Sequence, residues 1–553
     1  MKMMKRLSAH TRPRNVLTRP RNVLTRPWNV LTRPWNVLTR PRNVLTRPWN
    51  VLTRPCSPGP RAVLGRVQEA ALLRVSSPCQ GFPVWAERAA GGRRRKSLCG
   101  FFSTHVPLSH PGRGSDVAPC LCRLSAMSEA VLLDLIHGCS PACTGASLLD
   151  SASATHVFLL CGSSPRDKRS LSCGTLSACK NVRVLDSGST AECLYRFKQT
   201  VDELDLSSVR VLTTPQGRDV LRVYQEQLFT AVYTFDYEVN DVTCPSCRGS
   251  AHTDSPGHRV HEEEEEEEQV WAFLRQLPAL KGDVTVLKST LIPDCFGHGF
   301  STRTGGVSYI PTLSSLNLFS SSRRRDPGAV VRENRRRLAL HAGFHPESLR
   351  LVKVNHASDV WVLGKDEPES YDAMVTDRTG VVLAAPGADC MPILFADPVS
   401  KVIGAAHAGW KGTLMGVAMA TVEAMVTEFG CQVSDIVVAV GPSVGACCFT
   451  LERDQALDFQ RIHPDCVPDP ESAQPHVNIR LANRILLQDG GILPENIHDD
   501  AVTEHPRVTP CTSCHPEAFF SHCRDGPNFG TQVGFLWIRD TAHRTRPPTG
   551  EAV

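Results

Sequence analysis

The chain has 553 residues, enough for two or three domains with a sizeable core, and its formal charge of +5 conceals a division. Residues 1–126 hold 23 of the 61 Lys and Arg but 3 of the 56 Asp and Glu, which leaves 38 against 53 in the remainder. An acidic body argues against nucleic acid as its partner, no apolar run reaches the roughly 18 residues of a membrane span, and 22 cysteines without a secretory signal read as reduced thiols.

Thr11 to Leu52 are six copies of TRPRNVL or TRPWNVL. A proline in every unit removes a helix hydrogen bond each time, so the period of seven is not a coiled coil, and residues 1–126 are expected to form a disordered basic extension. Arg93-Arg94-Arg95-Lys96 reads as a solvated stretch. Organisation changes at Met127, which is read as the functional start. HVFLL (His156 to Leu160) and the two VRVL runs read as strands, and Asp219 to about Tyr233 carries apolar residues at helical spacing. Residues 127–243 are therefore expected to form a small α/β domain. Residues 244–268 read as an acidic linker that closes on Glu262 to Glu268, with a helix from about Glu266 to Leu277.

The core-rich, catalytic part is expected over residues 283–540. VVLAAPG, MPILFAD, VIGAAHAG and IVVAVGP read as strands buried on both faces, and Thr413 to Phe429 as a helix stopped by Gly430. Three residues stand where such runs begin or end: His356 in KVNHASDVW, Cys390 in GADCMP and His407 in AAHAGWKGT. A hairpin turning at Asp397-Pro398-Val399-Ser400 sets Cys390 opposite His407, close enough to share a metal or a proton. His356 joins them from the end of the alternating run LRLVKVN. Two imidazoles and a thiolate suit a zinc with an open fourth position, although each residue alone also suits a buried core. Arg303, in STRTGG, and Lys411, in the turn after His407, are candidate anion contacts. CTSCH (Cys511 to His515) matches a haem-attachment pattern, but reads as a structural or substrate-lining loop, and Cys447-Cys448 are adjacent.

STRTGGVSYIPTLSSLNLF, GADCMPILFADP, AAHAGWKGTLMGVAMATV, GPSVGACCF and CTSCHPEAFFSHCRDG together closely resemble the laccase-domain family, also called YfiH-like or multicopper polyphenol oxidase. The resemblance implies a layered α/β sandwich, preceded here by the small α/β domain and the basic extension. It implies His356, Cys390 and His407 as a catalytic, zinc-binding trio, and phosphate as co-substrate. The reactions implied are phosphorolysis of adenosine, inosine, guanosine and methylthioadenosine to base and ribose 1-phosphate, and deamination of adenosine to inosine. Many relatives carry RRDG where this chain has Cys523-Arg524-Asp525-Gly526, so Arg524 keeps one of two arginines as a substrate contact. The resemblance further implies purine metabolism of immune cells, a metabolic enzyme complex as partner, and a cytoplasmic, peroxisomal or nuclear location.

Four other readings stay open at this point. One is a copper oxidase, against which the absence of any His-x-His pair in the sequence counts. The second is a thiol hydrolase with Cys390 as nucleophile. The others are a lyase converting citrulline to ornithine and isocyanate, and a non-catalytic metabolic scaffold.

Overall fold

The computed structural model describes residues 129–137, 156–161, 182–239, 256–499 and 509–540. The basic extension expected over residues 1–126 lies outside the described residues. β1 (Ala130–Asp134), β2 (His156–Leu160), β3 (Val182–Leu185), β4 (Ser208–Thr213) and β5 (Thr234–Val239) form a parallel sheet in the order β3-β2-β1-β4-β5. Helices Thr190–Glu203 and Pro215–Leu228 connect its strands. The second begins four residues before the expected Asp219, because Thr214 accepts a hydrogen bond from the Gly217 amide and Pro215 occupies the first turn.

Residues 244–255 of the expected acidic linker lie outside the described residues, and the part from Pro256 onward is helix in place of linker. Glu262 to Glu268 lie within the helix Pro256–Gln276, whose Val270 and Leu274 are fully buried in the core of the small sheet. Glutamate is a good helix former, and the run is fastened at its end by Gln227 donating to Glu267, Tyr224 to Gln269, and Arg275 to Glu268.

The C-terminal half holds two sheets packed face to face. One has the order β6-β7-β16-β11-β8, from Val286–Leu287, Phe296–Ser301, Gln532–Ile538, Val382–Gly387 and Leu349–Leu351. The other has the order β15-β14-β12-β13-β10-β9, from Ile497–His498, Val437–Val440, Met391–Asp397, Val402–Ala408, Ala373–Thr376 and Val360–Val362. Phe296, Leu383 and Leu536 of the first meet Met374, Leu394 and Ile403 of the second in one core. Outside them, helix Gly328–Ala342 covers the first sheet through Leu338 and Ala339, and helices Val417–Phe429, Arg453–Ile462 and Ile479–Asp489 cover the second. This is the layered α/β sandwich, and it explains the unbroken apolar strands: each middle strand faces a sheet on one side and a helix on the other.

Two further expectations shift. The helix expected over Thr413 to Phe429 is two helices, Trp410–Leu414 and Val417–Phe429, divided at Gly416, whose φ of 79° breaks the helical path. In the β12–β13 hairpin, Asp397 pairs with Val402 and Pro392 with His407, so Cys390 does not stand directly opposite His407. The turn again holds four residues but lies one position later than expected, over 398–401: the Asp397 carboxylate accepts from the Val399 and Ser400 amides, and Lys401 turns the chain at a φ of 58°. The new register differs from the expected one by two positions in pairing, so Cys390 and His407 keep the same face. Pro392 is tolerated as the second residue of β12.

The small sheet and the sandwich share a polar hub. Asp202 accepts hydrogen bonds from Lys198, Arg325, Tyr233 and Tyr309, and the Lys198 side chain is 1% exposed. Removing the carboxylate leaves the buried Lys198 ammonium without an ion partner, while Arg325 keeps its pair with Asp205. Asp202→Ala should therefore destabilise the protein by about 3–5 kcal/mol in urea denaturation, whereas a loss below about 1 kcal/mol would show the hub to be dispensable.

Candidate active site

Two members of the trio sit at the border of a strand and the third in a loop. The chain leaves one sheet at Gly387, the end of β11, and enters the other at Met391, the start of β12. Cys390 is the last residue of that crossing. His407 is the second-last residue of β13, and His356 lies in the loop between β8 and β9, beyond the expected strand, at a φ of 63°. One ligand atom from each of His356, Cys390 and His407 lies within 4.8 Å of the others. The two imidazoles meet edge to face with centroids 5.1 Å apart. Gly409, opposite Cys390 in the hairpin, leaves room for the thiol: a Cβ there would stand 3.0 Å from its sulfur.

Two carboxylates hold this arrangement, and neither was singled out from the sequence. Asp372, fully buried just before β10, accepts from His407 Nδ1 at 2.8 Å. It also accepts from the amides of Asn355 at 3.1 Å, His356 at 3.2 Å and Ala357 at 2.9 Å. One side chain thus orients one imidazole and the backbone that carries the other. With Nδ1 donating to the carboxylate, His407 turns Nε2 toward the centre of the trio, as in carboxylate–histidine–zinc sites. Asp389 precedes Cys390 at a φ of 99°, a strained conformation for a residue with a Cβ. Thr512 and the Cys523 amide donate to its carboxylate at 2.7 and 2.6 Å, and the Val444 amide donates to its carbonyl at 3.0 Å. A carboxylate directly before each of AMVT and Cys390 was the only sequence signal for the pair.

Charge follows from this geometry. Burial alone would raise the Cys390 thiol, but the neighbouring His407 charge and hydrogen bonds from His356 and His407 outweigh it and hold the thiol at about 6. Burial likewise disfavours the His407 imidazolium, and the Cys390 thiolate with the Asp372 hydrogen bond overcomes it, raising His407 to about 9. Cys466, buried beside Asp465 with no such cation, is pushed up to about 11. The imidazoles around Cys390 thus favour its thiolate form.

The expected anion contacts divide. Arg303 is 4% exposed, stacks on Phe520, and donates from its three nitrogens to the carbonyls of Ser314, Pro516 and Pro311. Arg524 is bound by Asp525 and by the carbonyls of Thr512 and Phe519. Both arginines fasten loops through these carbonyls. Lys411 is exposed on the short helix that follows His407.

The family described as multi-copper polyphenol oxidoreductase laccase matches residues 297–539, which contain the whole trio. The purine nucleoside phosphorylase LACC1 of Mus musculus is 55% identical over 353 residues, covering 63% of this chain and 80% of that protein. The protein of the same name from Homo sapiens is 51% identical over 370 residues, covering 66% and 84%. Adenosine deaminase RL5, from an unknown prokaryotic organism, is 31% identical over 248 residues, covering 42% and 90%. The trio offers two imidazoles and one thiolate, too few ligands for the multi-copper centre of the family's description, which needs many imidazoles. The chain belongs to the multi-copper polyphenol oxidoreductase laccase family by descent, with a site whose ligands fit a single metal ion.

Proposed function

We propose that the chain is a zinc-dependent purine nucleoside phosphorylase acting on adenosine, inosine, guanosine and methylthioadenosine. The observation that carries the reading is the convergence of His356, Cys390 and His407 around one point, with Asp372 behind His407. Two imidazoles and a thiolate are zinc ligands, and contacts of about 2.0–2.3 Å to one ion suit donor atoms already within 4.8 Å of one another. When bound, zinc would supply Lewis acidity at a substrate oxygen or nitrogen.

The other parts follow from this chain's residues. In phosphorolysis a phosphate oxygen bonds to ribose C1′ while the C1′–N bond breaks, and the purine leaves with the electron pair and takes up a proton. The trio stabilises the charge that develops on the departing purine, and Asp372 and Asp389 keep the three side chains fixed so that little reorganisation is needed. Lys411, exposed beside the trio's β13, is the cation that holds phosphate. Half-exposed Cys390 and exposed His356 leave one side of the site open to a nucleoside. Adenosine deamination is a second reading, favoured by the relative named adenosine deaminase, in which water replaces the purine amino group and ammonia leaves.

The full chain incubated with inosine should release hypoxanthine and ribose 1-phosphate only when phosphate is present. With adenosine, inosine formed without phosphate reports the deaminase. His407→Ala and Cys390→Ala should each lower kcat/KM by about 100-fold or more, and Asp372→Asn by about 10- to 100-fold. Lys411→Ala should raise the KM for phosphate more than that for the nucleoside. Unchanged turnover in Cys390→Ala would reject this site.

The thiolate gives a second test. In protein stripped of metal, iodoacetamide should modify Cys390 at a rate that is level above about pH 7 and falls below pH 6, since the reactive thiolate protonates there. Asp372→Asn weakens the His407 charge and should move that midpoint upward. A rate still climbing between pH 8 and 9 in the unaltered chain would show an ordinary thiol.

A further inference from the structure

A second group of potential ligands lies apart from the trio. Cys447, Cys448, Cys511 and Cys514 place their sulfur atoms within 4.8 Å of one another. Cys447 and Cys448 come from the loop after β14, and Cys511 and Cys514 from the turn before helix His522–Asp525. The Cys514 sulfur is 3.5 Å from that of Cys447 and 3.4 Å from that of Cys448. Sulfurs bound tetrahedrally to one zinc at about 2.3 Å lie about 3.8 Å apart, so these separations are those of four ligands around a single ion. The Gly445 amide donates to the Cys511 sulfur at 3.3 Å, a bond that favours the thiolate.

We propose that these four cysteines form a second, closed metal site that takes a soft divalent cation, zinc above all, in a tetrathiolate shell. Cys511 and Cys514 have the two-residue spacing of a zinc knuckle; the other two ligands are adjacent and reach the ion from one tight turn, in which the Cys448 amide donates to the Gly445 carbonyl. With all four positions filled by protein, the ion is structural and does no chemistry on a substrate. What it joins is informative. The Thr512 amide, inside the Cys511–Cys514 turn, donates to the Ser443 carbonyl, and the Thr512 hydroxyl donates to Asp389, the strained residue before Cys390. Val444, three residues before Cys447, binds the Asp389 carbonyl. The ion would clasp the two loops that hold Asp389 from either side. It would thereby stiffen the crossing that carries Cys390, while touching none of the trio.

Metal analysis tests this by difference. The full chain, grown with zinc and desalted, is compared by inductively coupled plasma mass spectrometry with Cys514→Ser and with Cys390→Ala. Each single variant should hold one zinc fewer than the unaltered chain, and the double variant two fewer. Cys514 is exposed, so its loss removes a ligand without opening a cavity. Should Cys514→Ser fail to fold, cobalt titrated into metal-free unaltered chain supplies the second measurement. It should give intense sulfur-to-cobalt charge-transfer bands of a tetrahedral tetrathiolate, and the same bands should appear in Cys390→Ala. An unchanged zinc count in Cys514→Ser, or cobalt spectra without the tetrathiolate bands, would overturn the proposal. So would peptide mapping that finds Cys448 and Cys514 joined as a disulfide in the zinc-grown chain.

Discussion

The Asp372 carboxylate is the contact on which the site depends. A buried carboxylate costs several kcal/mol in lost hydration unless its lone pairs are met. Here four donors meet them: His407 Nδ1 and three consecutive amides of the loop that carries His356. Hydrogen bonds to a charged acceptor contribute about 1.5–3 kcal/mol each, enough to offset that cost and to bind the loop to β13. The carboxyl stays below its usual range in consequence, burial being outweighed by the His407 bond and the amides. The left-handed turn of the chain at His356 persists because the amides on either side of it are held by the same group.

Architecture explains why three distant pieces of sequence arrive together. The two sheets of the sandwich are joined by the short crossing from Gly387 to Met391, and a reactive residue placed there lies at the open end of both. β13 runs beside β12 and returns His407 to that end, while β10 pairs with β13 and brings Asp372 beside it. The strain at Asp389 is a local cost of about 1–3 kcal/mol, supported by Thr512, Cys523 and Val444 from loops on either side. Packing supplies the rigidity of the frame, and these two aspartates convert it into fixed side chains at the centre.

Strands and ligands were legible in the sequence for physical reasons. Unbroken apolar runs such as MPILFAD and VIGAAHA fit strands covered on both faces, and a Cys or His at the border of such a run stands out. The exact hairpin register was not legible, because it turns on whether Lys401 adopts a left-handed conformation, which no apolar pattern records. The roles of Arg303 and Arg524 were hidden for a related reason. An arginine beside glycines suits an anion, but here backbone carbonyls of Ser314, Pro516 and Thr512, 11, 213 and 12 residues from their arginines, accept from the guanidinium groups. Most of the donors to Asp372 and Asp389 are amides that any residue could provide, and the two side chains that join them, His407 and Thr512, lie 35 and 123 residues away. The glutamate run misled because a solvated charge stretch and a helix with one buried edge look alike until Val270 and Leu274 are seen to pack.

The central claim is that Cys390 and His407 act as one unit, and a double-mutant cycle on phosphate-dependent nucleoside cleavage tests it most directly. Residues that work as a unit are far from additive, since removal of one already abolishes what the other contributes. The account predicts that Cys390→Ala/His407→Ala is no slower than the slower single variant. Losses that multiply, each substitution lowering kcat/KM by the same factor in the presence or absence of the other, would contradict it.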